Sequence, residues 1–223
     1  LENLSKDPTK FVRFTCCGQG MHNYCANDLT SMKMGGSCPM CRAKTSTSDE
    51  EVVKYLRPWV KKKKAWAQYL MGQHYRDGEG VKQSYEMASR LFELAAQQGY
   101  VNAMTNLGFM YDKGLGVEQS YEKAFEYYEQ AAQLGHSNAQ YNLGVMYKTG
   151  QGVEQSYERA KEYYEQAAQQ GYASAQYNLA NLYDEGQGVE QSFLKAKKLY
   201  ELAIQQGHVT AILNLGTLYA NGS

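Results

Sequence analysis

Cysteine is absent from residue 42 to the end of this 223-residue chain. The five that it has, Cys16, Cys17, Cys25, Cys38 and Cys41, all lie between positions 16 and 41. Disulfides therefore cannot staple most of the molecule, and the first stretch is set apart chemically. Net charge is also lacking: 23 Lys and Arg balance 23 Asp and Glu. The balance hides an asymmetry, with six basic groups and one acid in residues 51–64, but 11 basic against 17 acidic groups in residues 65–223. An acidic array is a poor general binder of nucleic acid, since affinity for phosphate comes from Lys and Arg, so no nucleic-acid partner is expected. The Lys61–Lys64 run reads as a solvated linker face. No stretch approaches the ~18 apolar residues that a membrane span needs. With no signal peptide either, an intracellular, cytoplasmic location is expected.

Catalytic signatures are scarce. No glycine-rich phosphate loop follows a strand, and no Ser-His-Asp arrangement is supported. His74, His136 and His208 read as ordinary surface or half-buried side chains.

What is present is a repeat. Written in rows of 36 residues, Ala67, Ala103, Ala139, Ala175 and Ala211 align. So do Tyr75, Tyr111, Tyr147, Tyr183 and Tyr219, and Gly99, Gly135, Gly171 and Gly207. Each unit reads as two helices. Ala139, Leu143, Met146 and Tyr147 recur at helical spacing in the first. Ala124, Tyr128, Ala131 and Ala132 form the buried stripe of the second. Asn102, Asn138, Ser174 and Thr210 are expected to cap the first helices, and Ser84, Ser120, Ser156 and Ser192 the second. Glycines in Gly150-Gln-Gly152-Val153 serve the turn, and the Gly99 column closes each second helix in the left-handed region. Gly72, Gly108, Gly144, Ala180 and Gly216 share a column inside the first helix, where glycine costs up to ~1 kcal/mol. Its recurrence predicts a partner helix passing too close for a side chain. The register extends back to Ser48, which predicts an extra second helix over 48–63 with Val52, Val53, Tyr55, Leu56, Trp59 and Val60 on it, kinked or interrupted at Pro58. The chain starts at Leu1 and stops inside a repeat at Ser223, and so reads as a fragment at both ends.

Ala139-Gln-Tyr-Asn-Leu-Gly144, Gly150-x-Gly152-Val153 and Ala160-x-x-Tyr163-Tyr164-x-x-Ala167-Ala168-x-x-Gly171 resemble the Sel-1-like repeat, a cousin of the tetratricopeptide repeat. The resemblance covers residues 65–223. It implies a mainly α protein, a right-handed α-solenoid of 36-residue helix-turn-helix repeats, acting as a scaffold or adaptor for protein partners. First helices line the groove in related solenoids. There Asn106, Asn142, Asn178 and Asn214, beside Tyr69, Tyr141 and Tyr177, could hydrogen-bond an extended peptide. The competing reading, slightly favoured because the column is unchanged, is that these asparagines bond neighbouring loops in the array.

The cysteine segment carries metal-ligand spacing. His22-x2-Cys25 and Cys38-x2-Cys41 each let a short knuckle present two ligands to one ion. Zinc accepts thiolate and imidazole in tetrahedral geometry. Disulfides fit less well with an odd cysteine count and an intracellular array. The segment over about residues 10–45 resembles the C-terminal half of a RING domain. The resemblance implies that Cys17, His22, Cys25, Cys38 and Cys41 are Zn2+ ligands, with Pro39 in the usual Cys-Pro-x-Cys, and places Arg42 where many RING ligases set a basic residue against ubiquitin. Two departures stand out. The first Cys-x2-Cys pair would lie before Leu1, and Gln19 stands where a histidine ligand is usual, with Cys16 beside Cys17 as a substitute. One well-held zinc and a weaker second are expected. The organisation expected is a RING-like module over 1–47, a capping helix and basic linker over 48–64, and repeats over 65–223. The function implied is a scaffold that recruits a ubiquitin-conjugating enzyme, a ligase without a covalent intermediate of its own. The alternative is a non-enzymatic scaffold with a structural zinc finger.

Overall fold

The structure, a computed structural model, describes residues 48–220. It contains ten helices, and no strand occurs among the described residues. Cys16, Cys17, His22, Cys25, Cys38, Cys41 and Arg42 lie outside them. The helices are α1 (Asp49–Lys61), α2 (Ala65–Asp77), α3 (Tyr85–Ala96), α4 (Val101–Lys113), α5 (Tyr121–Gln133), α6 (Ser137–Thr149), α7 (Tyr157–Gln169), α8 (Ala173–Glu185), α9 (Phe193–Gln205) and α10 (Val209–Ala220). They fall into two compact units that divide between Tyr100 and Val101. Within each unit, every helix packs on the next in sequence, the arrangement of an all-α solenoid.

One turn chemistry recurs four times. After each first helix, a glutamine side chain donates to a carbonyl in that helix's last turn: Gln83 to Arg76 at 2.7 Å, Gln119 to Asp112 at 2.7 Å, Gln155 to Lys148 at 2.8 Å, Gln191 to Asp184 at 2.6 Å. These bonds satisfy carbonyls that a helix end leaves open. The next residue is the serine cap. Ser84, Ser120 and Ser156 each accept from the amide three residues on at 3.2 Å. Each serine hydroxyl also donates to the glutamate two residues on. The glutamate's own backbone amide, and then that serine bond, hold Glu86, Glu122 and Glu158 below the usual carboxylate range. Ser192 takes the cap position without a side-chain bond.

The first helices begin two residues sooner than expected. Asn102, Asn138, Ser174 and Thr210 lie inside α4, α6, α8 and α10 rather than at their caps. His136 and Tyr172 hold the N-cap positions of α6 and α8, with no side-chain cap bond. Their rings are engaged elsewhere: Tyr172 packs against Tyr141 at 5.2 Å between centroids, and His136 bonds Thr105.

Pro58 does not interrupt α1, which runs unbroken from Asp49 to Lys61. Both Pro58 and Lys54, whose carbonyl loses its amide partner, are exposed, so water can take the lost bond. Val52, Val53 and Leu56 are buried, whereas Tyr55 of the expected apolar set is 52% exposed. The repeat register still governs this helix. Ser48 caps it through Glu51 N at 3.4 Å, and Lys63 takes the left-handed conformation (φ 54°) that Gly99, Gly135, Gly171 and Gly207 take 36 residues apart (φ 79–84°).

Gly72, Gly108 and Gly144 of the glycine column work as expected, with an aromatic ring as the object that needs the space. A Cβ on Gly72 would lie 2.7 Å from the Phe92 ring, on Gly108 2.8 Å from Tyr128, and on Gly144 2.5 Å from Tyr164. Phe92, Tyr128, Tyr164 and Tyr200 are the largest fully buried side chains among the described residues. Burying each contributes on the order of 1.5–3 kcal/mol.

Candidate protein interaction face

The tyrosines and asparagines expected to contact a partner are all half-buried. Tyr69 packs against Tyr100 at 4.9 Å and Phe92 at 5.8 Å and accepts from Gln73 at 3.0 Å. Tyr141 lies 6.0 Å from Tyr164 and 5.2 Å from Tyr172. Tyr177 stacks on His208 at 4.5 Å, with Tyr200 at 6.0 Å. Each ring thus wedges between a second helix and the residue that follows its closing glycine.

The asparagines reach backward along the array. Asn178 Nδ2 donates to Tyr141 Oη at 3.4 Å, and Asn214 Nδ2 to Tyr177 Oη at 3.2 Å, in each case one repeat earlier. Asn214 also donates to Asn181 Oδ1 at 3.0 Å. Asn142 differs, donating to Asn138 Oδ1 at 2.9 Å within its own helix. The tyrosine position that it would reach, one repeat earlier, holds Thr105, too short to present a hydroxyl at tyrosine's reach. In the described residues the column therefore engages the array itself. Asn178 also donates to Ser174 O at 3.0 Å, so Asn178 and Asn214 each commit both amide hydrogens to the array.

Thr105 belongs to a local departure from the pattern. Its Oγ1 lies 3.0 Å from His136 Nδ1, and His136 Nε2 lies 2.9 Å from Asn102 Oδ1. Burial holds this imidazole below its ordinary pKa. A neutral ring protonated on Nε2 satisfies both contacts, donating to Asn102 and accepting from Thr105. The order imitates nucleophile, base and orienting group, but the threonine is only 7% exposed and also reaches Val101 O at 3.3 Å. It is a packing contact. The same repeat departs elsewhere. Gln98 donates to Gln68 at 2.6 Å, Gln170 to Gln140 at 2.7 Å and Gln206 to Gln176 at 2.6 Å, yet Met104 and Leu134 replace both members of that pair in the second repeat.

A third periodic feature escaped the sequence reading. Tyr111 stacks on Tyr127 at 5.7 Å and Tyr147 on Tyr163 at 5.6 Å, each pair at 9° between planes. Lys123 lies over the Tyr111 ring at 5.1 Å and Arg159 over Tyr147 at 5.3 Å; Lys195 repeats the contact on Tyr183 at 4.8 Å. The signal was available in the sequence, as a basic residue three positions after each of Ser120, Ser156 and Ser192.

The Sel1 repeat family matches residues 67–100, 101–136, 137–172 and 173–208. The chain belongs to the Sel1 repeat family. Its boundaries coincide with the glycine-ended second helices described above. This Sel1 repeat protein is similar to the crystal structure of a Sel1 repeat protein from Oxalobacter formigenes, with TM-score 0.75 and 27% identity over 80% of this chain and 71% of that one. It is also similar to c5321, a protective antigen of uropathogenic Escherichia coli strains displaying an SLR fold, with TM-score 0.73 and 32% identity. That match covers 82% of this chain and 39% of that protein. A sel1 repeat protein from Klebsiella pneumoniae shares the fold at TM-score 0.51 and 17% identity. No curated protein matches. Among the described residues, no helix of this Sel1 repeat scaffold is long and apolar enough to cross a membrane.

Proposed function

We propose that this Sel1 repeat protein is a protein–protein interaction scaffold whose N-terminal Cys/His segment is a zinc-binding, RING-like module. The scaffold reading rests on one observation: the same half-buried tyrosine and asparagine positions recur on successive first helices, as a surface that reads an extended partner requires. Tyr69, Asn106, Tyr141, Asn142, Tyr177, Asn178 and Asn214 are the proposed contacts.

The finer reading rests on sequence. Cys16 or Cys17, with Cys38 and Cys41, would hold one Zn2+, and His22 and Cys25 half of a second site. Arg42, directly after that last pair, would support transfer from a recruited ubiquitin-conjugating enzyme. Ubiquitin would pass from that enzyme to a client held by the repeats. An autoubiquitination assay with a panel of conjugating enzymes, alongside zinc quantification, tests this. Product that disappears in Cys38→Ser supports it. Bound zinc with no product from any conjugating enzyme overturns it in favour of a structural finger on a non-enzymatic scaffold, the reading that Gln19 favours.

A further inference from the structure

We propose that Asp49, His74 and Glu79 form a second divalent-cation site, separate from the cysteine segment, that takes zinc and clamps α1 to the first repeat. Each of the three offers a ligand atom, and these atoms all lie within 4.8 Å of one another. The donors come from three places: the first residue of α1, the last turn of α2 and the turn that follows it. The chain is pressed together there, since a Cβ on Gly80 would lie 2.3 Å from the backbone carbon of Asp49.

His74 is prepared as a ligand. It is 1% exposed, and its Nδ1 lies 2.7 Å from the carbonyl oxygen of Glu79. A carbonyl only accepts, so Nδ1 carries a proton, and Nε2 is the nitrogen that a metal would take. Metal-bound histidines are oriented in this way, through a backbone carbonyl or carboxylate on the other nitrogen. One imidazole and two carboxylates, with water as a fourth ligand, suit zinc at about 2.0–2.2 Å per bond. Small carboxylate rotations would bring donors within 4.8 Å of one another onto one ion.

The chain supplies its own comparison. The same junction recurs where Gly152 presses on Tyr121 and Gly188 on Tyr157, with a Cβ reaching 2.6 Å and 2.5 Å respectively. There the three positions hold Tyr121, Met146 and Gln151, or Tyr157, Leu182 and Gln187. Packing at this junction is thus met by an aromatic, an apolar and a neutral residue. Only at α1 are all three replaced together by metal-ligating types. A buried apolar position given to histidine, with two acids converging on it, is what a cation would select.

The test uses the full chain with its five cysteines changed to serine, which removes the thiolate sites. Equilibrium dialysis against zinc chloride should find about one equivalent bound, with a zinc-dependent rise in the thermal unfolding midpoint of the helical signal. His74→Met installs the residue found at 110 and 146, so folding without metal should be preserved. This variant should bind at least ten-fold more weakly and lose the thermal shift, and Asp49→Asn should weaken binding too. Absence of zinc from the five-serine chain, or equal binding with and without His74, overturns the proposal. Neither result depends on ligase activity or on the cysteine-bound zinc.

Discussion

The hydroxyl of Tyr200 donates to Asn181 Oδ1 at 2.7 Å and lies 3.3 Å from Asp184, whereas Tyr164, at the same position one repeat earlier, is buried with no hydrogen-bond partner for its hydroxyl among the described residues. Val145 stands where the later repeat has Asn181. Burial pushes both phenols above their ordinary range.

The same substitution should therefore have opposite signs at these two positions. Tyr164→Phe removes a buried hydroxyl without a partner and should stabilise the protein by about 1 kcal/mol. Phe92 already fills that position in the first repeat. Tyr200→Phe breaks a short hydrogen bond and should cost about 1 kcal/mol. Urea midpoints of the two variants check this; a cost at Tyr164 would mean that its hydroxyl has a partner after all.

Glycine-to-alanine changes should likewise diverge along one column. Gly144→Ala places a methyl 2.5 Å from the Tyr164 ring and should cost on the order of 1–3 kcal/mol. Nothing lies within 4 Å of a Cβ on Gly216, so Gly216→Ala should gain up to ~1 kcal/mol of helix propensity. Thermal unfolding by circular dichroism separates them, at roughly 2–4 °C per kcal/mol for a chain of this size.

Lys63 holds a left-handed backbone with a side chain attached. Lys63→Gly should stabilise the end of α1 by about 1 kcal/mol, since L residues other than glycine lose about 1–2 kcal/mol there. Slower amide exchange in α1, without change in α6 or α8, is the expected readout.

His136 makes stability depend on pH. Its folded pKa lies below the unfolded value because burial disfavours the charged ring. Its contribution is thus complete above the ordinary histidine value of about 6.5 and is lost as pH falls through the lower folded value. Denaturant midpoints at pH 7.5 and 5.0 should fall further for the wild type than for His136→Gln. An equal fall in both would show that the ring titrates normally.

Periodicity made most of the fold legible. Columns spaced by 36 residues located helices, serine caps and left-handed glycines, because each depends on local backbone chemistry repeated in place. The cap expected at Asn138 failed because the connection is only three residues, Leu134 to His136, and the helix resumes at Ser137. His74 was read as surface or half-buried and is fully buried. Its column, with Met110, Met146, Leu182 and Leu218, shows the position to be apolar, information that a search for catalytic partners passes over. The amide pairs, such as Gln68 with Gln98, were missed because glutamine on a helix is ordinarily taken for solvent-facing. The binding face is the least legible part: a tyrosine that holds the stack and one that holds a partner follow the same spacing.

The backward reach of Asn178 to Tyr141 and of Asn214 to Tyr177 spans 37 residues, one repeat length. Among the described residues the strong helix contacts join consecutive helices, so contact order is low and the search for native pairs stays local. Folding can begin in any repeat and spread to its neighbours, and unfolding under load should peel helices from an end in steps rather than break at one threshold.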